Sequence, residues 1–465
     1  MRARAYLPFV VAALGGCTLG PDYERPELET PPVYIQPVEQ GESFANTPWW
    51  DLFQDEQLQD LIRVALEENQ DLGIAIARIE EFRAVLGVTR ADQFPTVDIT
   101  AAGGRTDPSQ NTIQGSISDG FNDSYRLSGD VFFELDLFGR LRRSTEAARG
   151  ELLAAEESRR SITISLIASV ASTYMLLRDL DAQLEIARRT EITRTDSLGI
   201  IEARFEKGTV PRVDVNQAEI ELAVASAAVA AAERQVAQTE HALSLLLGRN
   251  PGSIVRGLPL EQQAVPPDIP AGLPSELLQR RPDVLASEAT LAAQTARIGV
   301  AEALRWPSIS LTGSLGFESQ ELSTLTDSGS DFWSFGGNIF APLINSGAGR
   351  ARVDAEIART EQALLTYEQT VQRAFAEVED ALVAVRTYRK EHEARVRQVT
   401  AARSAAFLSR ARYDGGVTSY LEVLDSERSL FNAELTESQT LRLYINAIIE
   451  LYKSLGGGWM PENDE

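Results

Sequence analysis

The chain has 465 residues, 43% hydrophobic and 24% charged, with 68 acidic against 44 basic side chains and a net charge of −24. This is the composition of a folded protein, and at about 150 residues per domain the length allows about three domains. The acidic balance excludes a nucleic-acid partner, because phosphate binding needs clustered Lys and Arg. One cysteine excludes an intramolecular disulfide and a multi-Cys metal site. The two histidines, His241 and His392, lie in charged, helical stretches and read as surface residues.

Residues 1–16 read as a signal peptide. Arg2 and Arg4 are followed by an apolar run from Ala5 to Leu14, too short to span a bilayer. The only cysteine, Cys17, stands where cleavage would make it the first residue. Leu14-Gly15-Gly16-Cys17 resembles a bacterial lipoprotein box, which implies N-terminal acylation and a diacylglycerol on Cys17. No other cofactor is expected. Thr18 in place of Asp favours the outer membrane over the inner. The alternative is an ordinary secretory signal with an incidental cysteine.

Proline and glycine punctuate the rest, since Pro fixes φ and removes a donor. Residues 17–50 read as an extended, lipidated arm. Residues 51–250 form a first repeat, 251–282 a Pro-rich linker, 283–456 a second repeat and 457–465 a tail. Residues 151–198, 212–247, 351–414 and 417–455 contain neither Gly nor Pro and are predicted as long helices; a 64-residue helix would be about 100 Å long. Val371, Phe375, Val378, Leu382 and Val385 step by 4 and 3, as do Leu166, Val170, Tyr174, Leu177, Leu180 and Leu184. Residues 161–177 carry no charge, but their hydroxyl side chains indicate a buried helix face and not a membrane span.

The two halves repeat each other. Phe94-Pro95 matches Trp306-Pro307 at an offset of 212, and Phe138-Gly139-Arg140 aligns with Ala348-Gly349-Arg350 at 210. Ala203-Arg204-Phe205, Gly208, Glu219 and Leu247-Gly248 match Ala411-Arg412-Tyr413, Gly416, Glu427 and Leu455-Gly456 at 208. Seven-residue periodicity alone would not keep this punctuation in step, so the reading is an internal duplication.

Each half also contains two segments of period 2, the spacing of strands. They are predicted near 94–107, 125–138, 306–319 and 332–345. Tyr125, Leu127, Val131, Phe133, Leu135 and Leu137 alternate with Arg126, Ser128, Asp130, Glu134 and Asp136; Phe132 breaks the rule. Aromatics flank the segments at Phe94, Tyr125, Trp306 and Trp333. One reading is a pair of soluble hairpins. The other is transmembrane strands with an apolar outer face and a polar lumen. In a bilayer an open sheet edge leaves unsatisfied backbone groups, and four strands fall short of the smallest barrels, which have about eight. Such a chain must pool its strands with copies of itself.

The start Gly16-Cys17-Thr18-Leu19-Gly20-Pro21-Asp22-Tyr23, the Phe/Trp-Pro strand entries and Tyr413-x-x-Gly416-x-x-x-Tyr420-Leu421-x-Val423-Leu424-Asp425 resemble the TolC-type outer-membrane factors, in their NodT/OprM-like lipoprotein branch. The resemblance implies a homotrimer whose twelve-stranded barrel, four strands per chain, continues into a long periplasmic α-helical barrel. It implies a passive exit duct for small molecules, docked by a periplasmic adaptor (a membrane fusion protein) and energised by an inner-membrane transporter, often of the resistance–nodulation–division class. It places adaptor docking on the turns Gly208-Thr209-Val210 and Gly416-Val417-Thr418, and a periplasmic gate at Glu422 and Asp425. Their three-residue step sets both carboxylates on one helix face. A latch in the family uses a Tyr, an Asp and an Arg. Tyr413 and Asp214 match the first two, whereas Thr418 stands at the Arg position. The alternatives are a duct for type I protein secretion and a lipid-anchored coiled-coil envelope protein without transport. An enzyme has little support: Gly347-Ala348-Gly349 is followed by Arg352 where a dinucleotide fingerprint needs Gly.

Overall fold

The computed structural model describes residues 18–35, 50, 53–109, 111, 113, 121–264 and 274–457. The signal peptide, Cys17 and the 458–465 tail lie outside the described residues. The chain divides into two compact units, drawn from the described parts of Met1–Glu27, Arg78–Ala155 and Ala286–Tyr367, and of Leu28–Ala77, Glu156–Leu285 and Glu368–Glu465. In chain order the main elements are α1 (Glu56–Glu68), α2 (Gln70–Ala91), β1 (Thr96–Thr106), β2 (Asn122–Leu135), α3 (Arg140–Glu206), α4 (Arg212–Leu246), α5 (Pro274–Arg280), α6 (Pro282–Ala303), β3 (Ser308–Ser319), β4 (Asp331–Phe340), α7 (Ala348–Asp414) and α8 (Tyr420–Ser454). Helices α3 and α7 are both 67 residues long, and α4 and α8 are both 35. Two copies of helix, hairpin, long helix and shorter helix follow one another, the duplication written into backbone geometry.

The first unit carries the sheet. Its order is β1-β2-β3-β4, all neighbours antiparallel. Pro95 and Pro307 lack the N–H a ladder needs, so β1 and β3 begin just after them. β2 differs from its predicted span: it opens at Asn122, where Asp123 pairs across the hairpin with Arg105 at 2.5 and 2.6 Å. It closes at Leu135, so Asp136 is not a strand residue facing a lumen. The Asp136 carboxylate accepts from the backbone N–H of Leu141 and Arg142 at the start of α3, where a helix N-terminus attracts an anion. β4 stops at Phe340 and leaves Leu343 beyond it, because Pro342 cannot donate to the ladder.

Registry sorts the sheet into two faces. Asp98, Asp130, Ser314 and Ser334 form one row across the four strands, and Val97, Val131 and Gly313 lie on the other face. Phe132, the exception in the sequence pattern, sits on the polar face opposite Thr96 and Thr312. The apolar face is bare: Ile99 is 84% exposed and Trp333 80%. A contiguous apolar sheet face of this kind is a membrane or protein contact surface, not a water-exposed one.

Small residues bring this unit's helices together. A Cβ on Gly150 of α3 would lie 2.8 Å from the Ala293 Cβ of α6. The residues after Cys17 are seated in the same unit. Leu19 donates to the Phe138 carbonyl, and Arg143 donates to the Leu19 and Gly20 carbonyls and to Asp22. Gly20, at φ +86°, touches Gly299 so closely that a Cβ would fall 2.4 Å from its Cα.

The second unit holds the larger core. Leu166, Val170, Tyr174 and Leu177 of α3 are buried against Val378 of α7, Ile445 and Ile448 of α8, and Leu58 and Ile62 of α1. The uncharged stretch 161–177 thus folds as a helix with its apolar side in a protein core. The linker is fixed to this core. Asp55 caps α1 and is 1% exposed, and its carboxylate accepts from Gln57 N, Leu58 N, the Tyr174 hydroxyl, Leu258 N and Gln263 Nε2. Arg256 reaches Asp181 and Glu240, and Arg178 donates to the Leu258 carbonyl.

Candidate functional site

The predicted gate and docking residues converge at one end of the second unit, where α3 turns into α4 and α7 into α8. The two turns are near copies. Gly208 has φ +73° and Gly416 φ +72°, the left-handed conformation that closes a helix. Gly208 N donates to Phe205 O and Thr209 N to Arg204 O; Gly416 N donates to Tyr413 O and Val417 N to Arg412 O. The carbonyls that a helix end leaves unpaired are thereby satisfied without the next helix. Gly208, Thr209, Gly416 and Val417 are exposed, and Val210 and Thr418 half-buried. A Cβ at either glycine would meet nothing within 4 Å.

Below the turns an apolar cluster joins both hairpins. Ile201, Val215, Ala218, Tyr420, Val423 and Leu424 are buried together, with Leu198, Phe205, Val210 and Tyr413 packed on them. Tyr413 and Tyr420 lie with ring centroids 5.4 Å apart, and the Arg204 guanidinium sits 4.9 Å over the Tyr413 ring. Both phenol hydroxyls are buried and lack a hydrogen-bond partner. Burial, and then the nearby Glu427 carboxylate, pushes the Tyr420 phenol up to about 12.

The structure treats the four predicted gate residues differently. Glu422 is neutralised within the chain: its carboxylate pairs with Arg412 at 3.0 Å and accepts from the Thr418 hydroxyl. Asp425, one turn on, is exposed and forms no ion pair among the described residues. The expected pair of free carboxylates is therefore one free and one compensated, and Thr418, in place of an Arg, buffers Glu422. Tyr413 and Asp214 are not joined within the chain. Asp214 lies in the first turn of α4, where a carboxylate also suits the helix dipole.

One feature escaped the sequence reading. About two turns behind the apolar cluster, charges from all four helices meet. Arg194 of α3 pairs with Glu427 of α8 and, at 3.7 Å, with Glu221 of α4. Arg428 of α8 donates to Glu221 at 2.6 Å, and Arg410 of α7 reaches Glu427 at 3.7 Å and the Ser197 hydroxyl at 3.1 Å. The Arg194 and Glu221 side chains are only 4% and 5% exposed. The repeat had paired Glu427 with Glu219; Glu219 is exposed, and Glu221 takes the buried position.

A sheet with one lipid-type face, joined in sequence to two helical hairpins ending in paired glycine turns, matches one set of known proteins. The sequence profile described as "Outer membrane efflux protein" matches residues 61–249 and 273–457. The chain belongs to the outer membrane efflux protein family. Relatives of this efflux protein include the solvent efflux pump outer membrane protein SrpC of Pseudomonas putida, 38% identical over 99% of both chains. Another is the cation efflux system protein CusC of Escherichia coli O157:H7, 36% identical over 97% of this chain and 98% of CusC. Among solved structures, the open state of the Neisseria gonorrhoeae MtrE outer membrane channel superposes with a TM-score of 0.85 at 34% identity, covering 96% of this chain and 99% of that one. The fold is that of the outer-membrane efflux channels, and the function is that of an efflux-pump exit duct in the outer membrane.

Proposed function

We propose that three copies of this chain close a twelve-stranded barrel continued by an α-helical barrel, forming a passive duct. The observation that carries this is the sheet. It has an exposed apolar face, and β1 and β4 have no partner on their outer edges among the described residues. In hydrocarbon such edges leave backbone groups unsatisfied, at several kcal/mol each, so strands from other copies must complete the ladder. Asp98, Asp130 and their row then line a wet lumen. A periplasmic adaptor docks on the exposed turns Gly208-Thr209-Val210 and Gly416-Val417-Thr418, and an inner-membrane transporter of the resistance–nodulation–division class supplies the energy. Asp425 provides the acidic gate group from each chain, and Tyr413 with Asp214 latches one chain to the next. This role calls for passage and no chemical step.

Cys17 carries the lipid anchor in this reading. Its support is the lipoprotein-box sequence that ends at Cys17, and the residues that follow, Leu19, Gly20 and Asp22, are bonded at the corner between β2 and α3. Cargo selection belongs to the transporter: SrpC and CusC, named for a solvent efflux pump and a cation efflux system, are 38% and 36% identical to this chain.

The test uses protein purified from outer-membrane fractions. A trimeric mass in detergent and ion conductance in planar bilayers are expected, with an acylated N-terminal Cys17 peptide by mass spectrometry. A water-soluble monomer without conductance would overturn the duct. An unacylated Cys17 in a conducting trimer would remove the anchor alone.

A further inference from the structure

We propose that the inner wall of the barrel is an aromatic track for organic ammonium ions, with the Phe132 ring as its open binding face. The proposal rests on the duct reading above, which makes the polar face of the sheet a wet lumen. Three phenylalanines stand on that face among Ser, Thr, Asp and Gly. Phe132 shares a row with Thr96, Thr312 and Gly336, and Phe332 and Phe340 lie four residues to either side of Gly336 on β4. At about 3.4 Å per residue, the three levels are about 14 Å apart along the strands. Twelve strands leave a lumen that side chains do not fill, so the rings line a passage without closing it.

Phe132 breaks the alternation of β2, and its ring is 48% exposed, since its neighbours in the row are small. The same face shows what a ring there attracts. The Arg126 guanidinium lies 4.4 Å from the Phe332 ring centroid, within cation–π range. Phe132 has no cation over it among the described residues. What stands beside it is negative. Asp130 is two residues away on the same strand and face, about 7 Å, and Asp98 lies in register with Asp130. Neither carboxylate makes an ion pair among the described residues; Asp130 accepts from the Ser128 and Ser314 hydroxyls instead. A bare ring next to two uncompensated carboxylates suits a large, weakly hydrated organic cation. A neutral aromatic solute gains from the ring alone, and a small metal cation holds its water too tightly to use the ring. The transporter chooses what enters, and the wall decides which solutes dwell.

The experiment titrates benzyltrimethylammonium into the full-length protein in a nonionic detergent and follows binding by saturation-transfer NMR. Benzyl alcohol, with the ring and no charge, is the control. The expected result is saturable binding of the cation, several-fold tighter than that of benzyl alcohol. Phe132→Leu keeps an apolar side chain but removes the π face, and should weaken the cation about three-fold or more. Phe132→Tyr, which keeps the π face, should retain it. Asp98→Asn should weaken the cation and leave benzyl alcohol unchanged. Equal affinity for cation and alcohol overturns the proposal, and so does a folded, trimeric Phe132→Leu protein that binds the cation like its parent. Mass and conductance of the unmodified protein decide the duct reading separately. A conducting trimer without cation preference removes the track alone, whereas a non-conducting monomer removes the lumen and the track together.

Discussion

Replacing Asp55 tests whether a single carboxylate pins the linker between the repeats. Its oxygens satisfy two N–H groups at the start of α1 and three further donors, the Tyr174 hydroxyl, Leu258 N and Gln263 Nε2, at 2.7–3.3 Å. In Asp55→Ala the cap is lost, at about 1 kcal/mol. The Leu258 N–H and the Tyr174 hydroxyl proton are left without an acceptor, at about 1–3 kcal/mol each. Gln263 Nε2 keeps its bond to the Leu258 carbonyl. The total is about 3–7 kcal/mol, concentrated at one side chain. Asp55→Asn should be nearly as damaging, since one carboxamide position must present N–H groups either to the helix N-terminus or to three donors. Denaturant unfolding of detergent-solubilised protein, followed by intrinsic fluorescence, gives the difference. An Asp55→Asn loss below about 1 kcal/mol, the scale of one ordinary hydrogen bond, would refute the five-donor account.

Tyr413→Phe combined with Asp214→Ala should raise single-channel conductance in planar bilayers, and unchanged conductance removes the interchain latch. Glycine variants should separate by environment. Ala at Gly208 or Gly416 meets open space and costs only the left-handed backbone penalty, about 1–2 kcal/mol, whereas Ala at Gly257 would drive a Cβ to 2.0 Å from the Asp55 carboxylate and cost more; equal losses in thermal melts would contradict this. Tyr420 makes stability fall at high pH. Its phenol ionises near 10 when unfolded and about 12 when folded, so its contribution is whole below pH 10 and disappears, by about 2 kcal/mol, as pH rises to 12. Tyr420→Phe, which removes a hydroxyl that has no partner, should flatten that slope without loss at neutral pH.

What the sequence made legible follows from physical range. Period-2 alternation and Pro95 and Pro307 are local signals, and they located the four strands. The helices were legible because Gly and Pro are nearly absent from them, although α3 also absorbs Gly150 and Gly199. Strand ends were missed where a side chain decides them: the Arg105–Asp123 pair extends β2 at its start, and Asp136 leaves the sheet to cap α3. At the tips, the paired glycine turns were foreseen from the repeat. Glu422 was not foreseen as neutralised, because Arg412 approaches it from across a turn in a different helix. The Arg194 cluster was hidden for a stronger reason. Arg194 and Glu427 lie 233 positions apart, and the duplication pointed to Glu219 when the fold buries Glu221.

The matched helix lengths constrain how such a chain can change size over evolution. Each short helix returns along a long one, and both tips must stay level for their shared apolar cluster to form. Shortening the reach by two turns therefore means excising about seven residues from α3, α4, α7 and α8 alike. A deletion in one repeat alone would carry one glycine turn past the other and pull Arg194 away from both its carboxylates. Length in this architecture is inherited in coordinated steps, set jointly by both repeats.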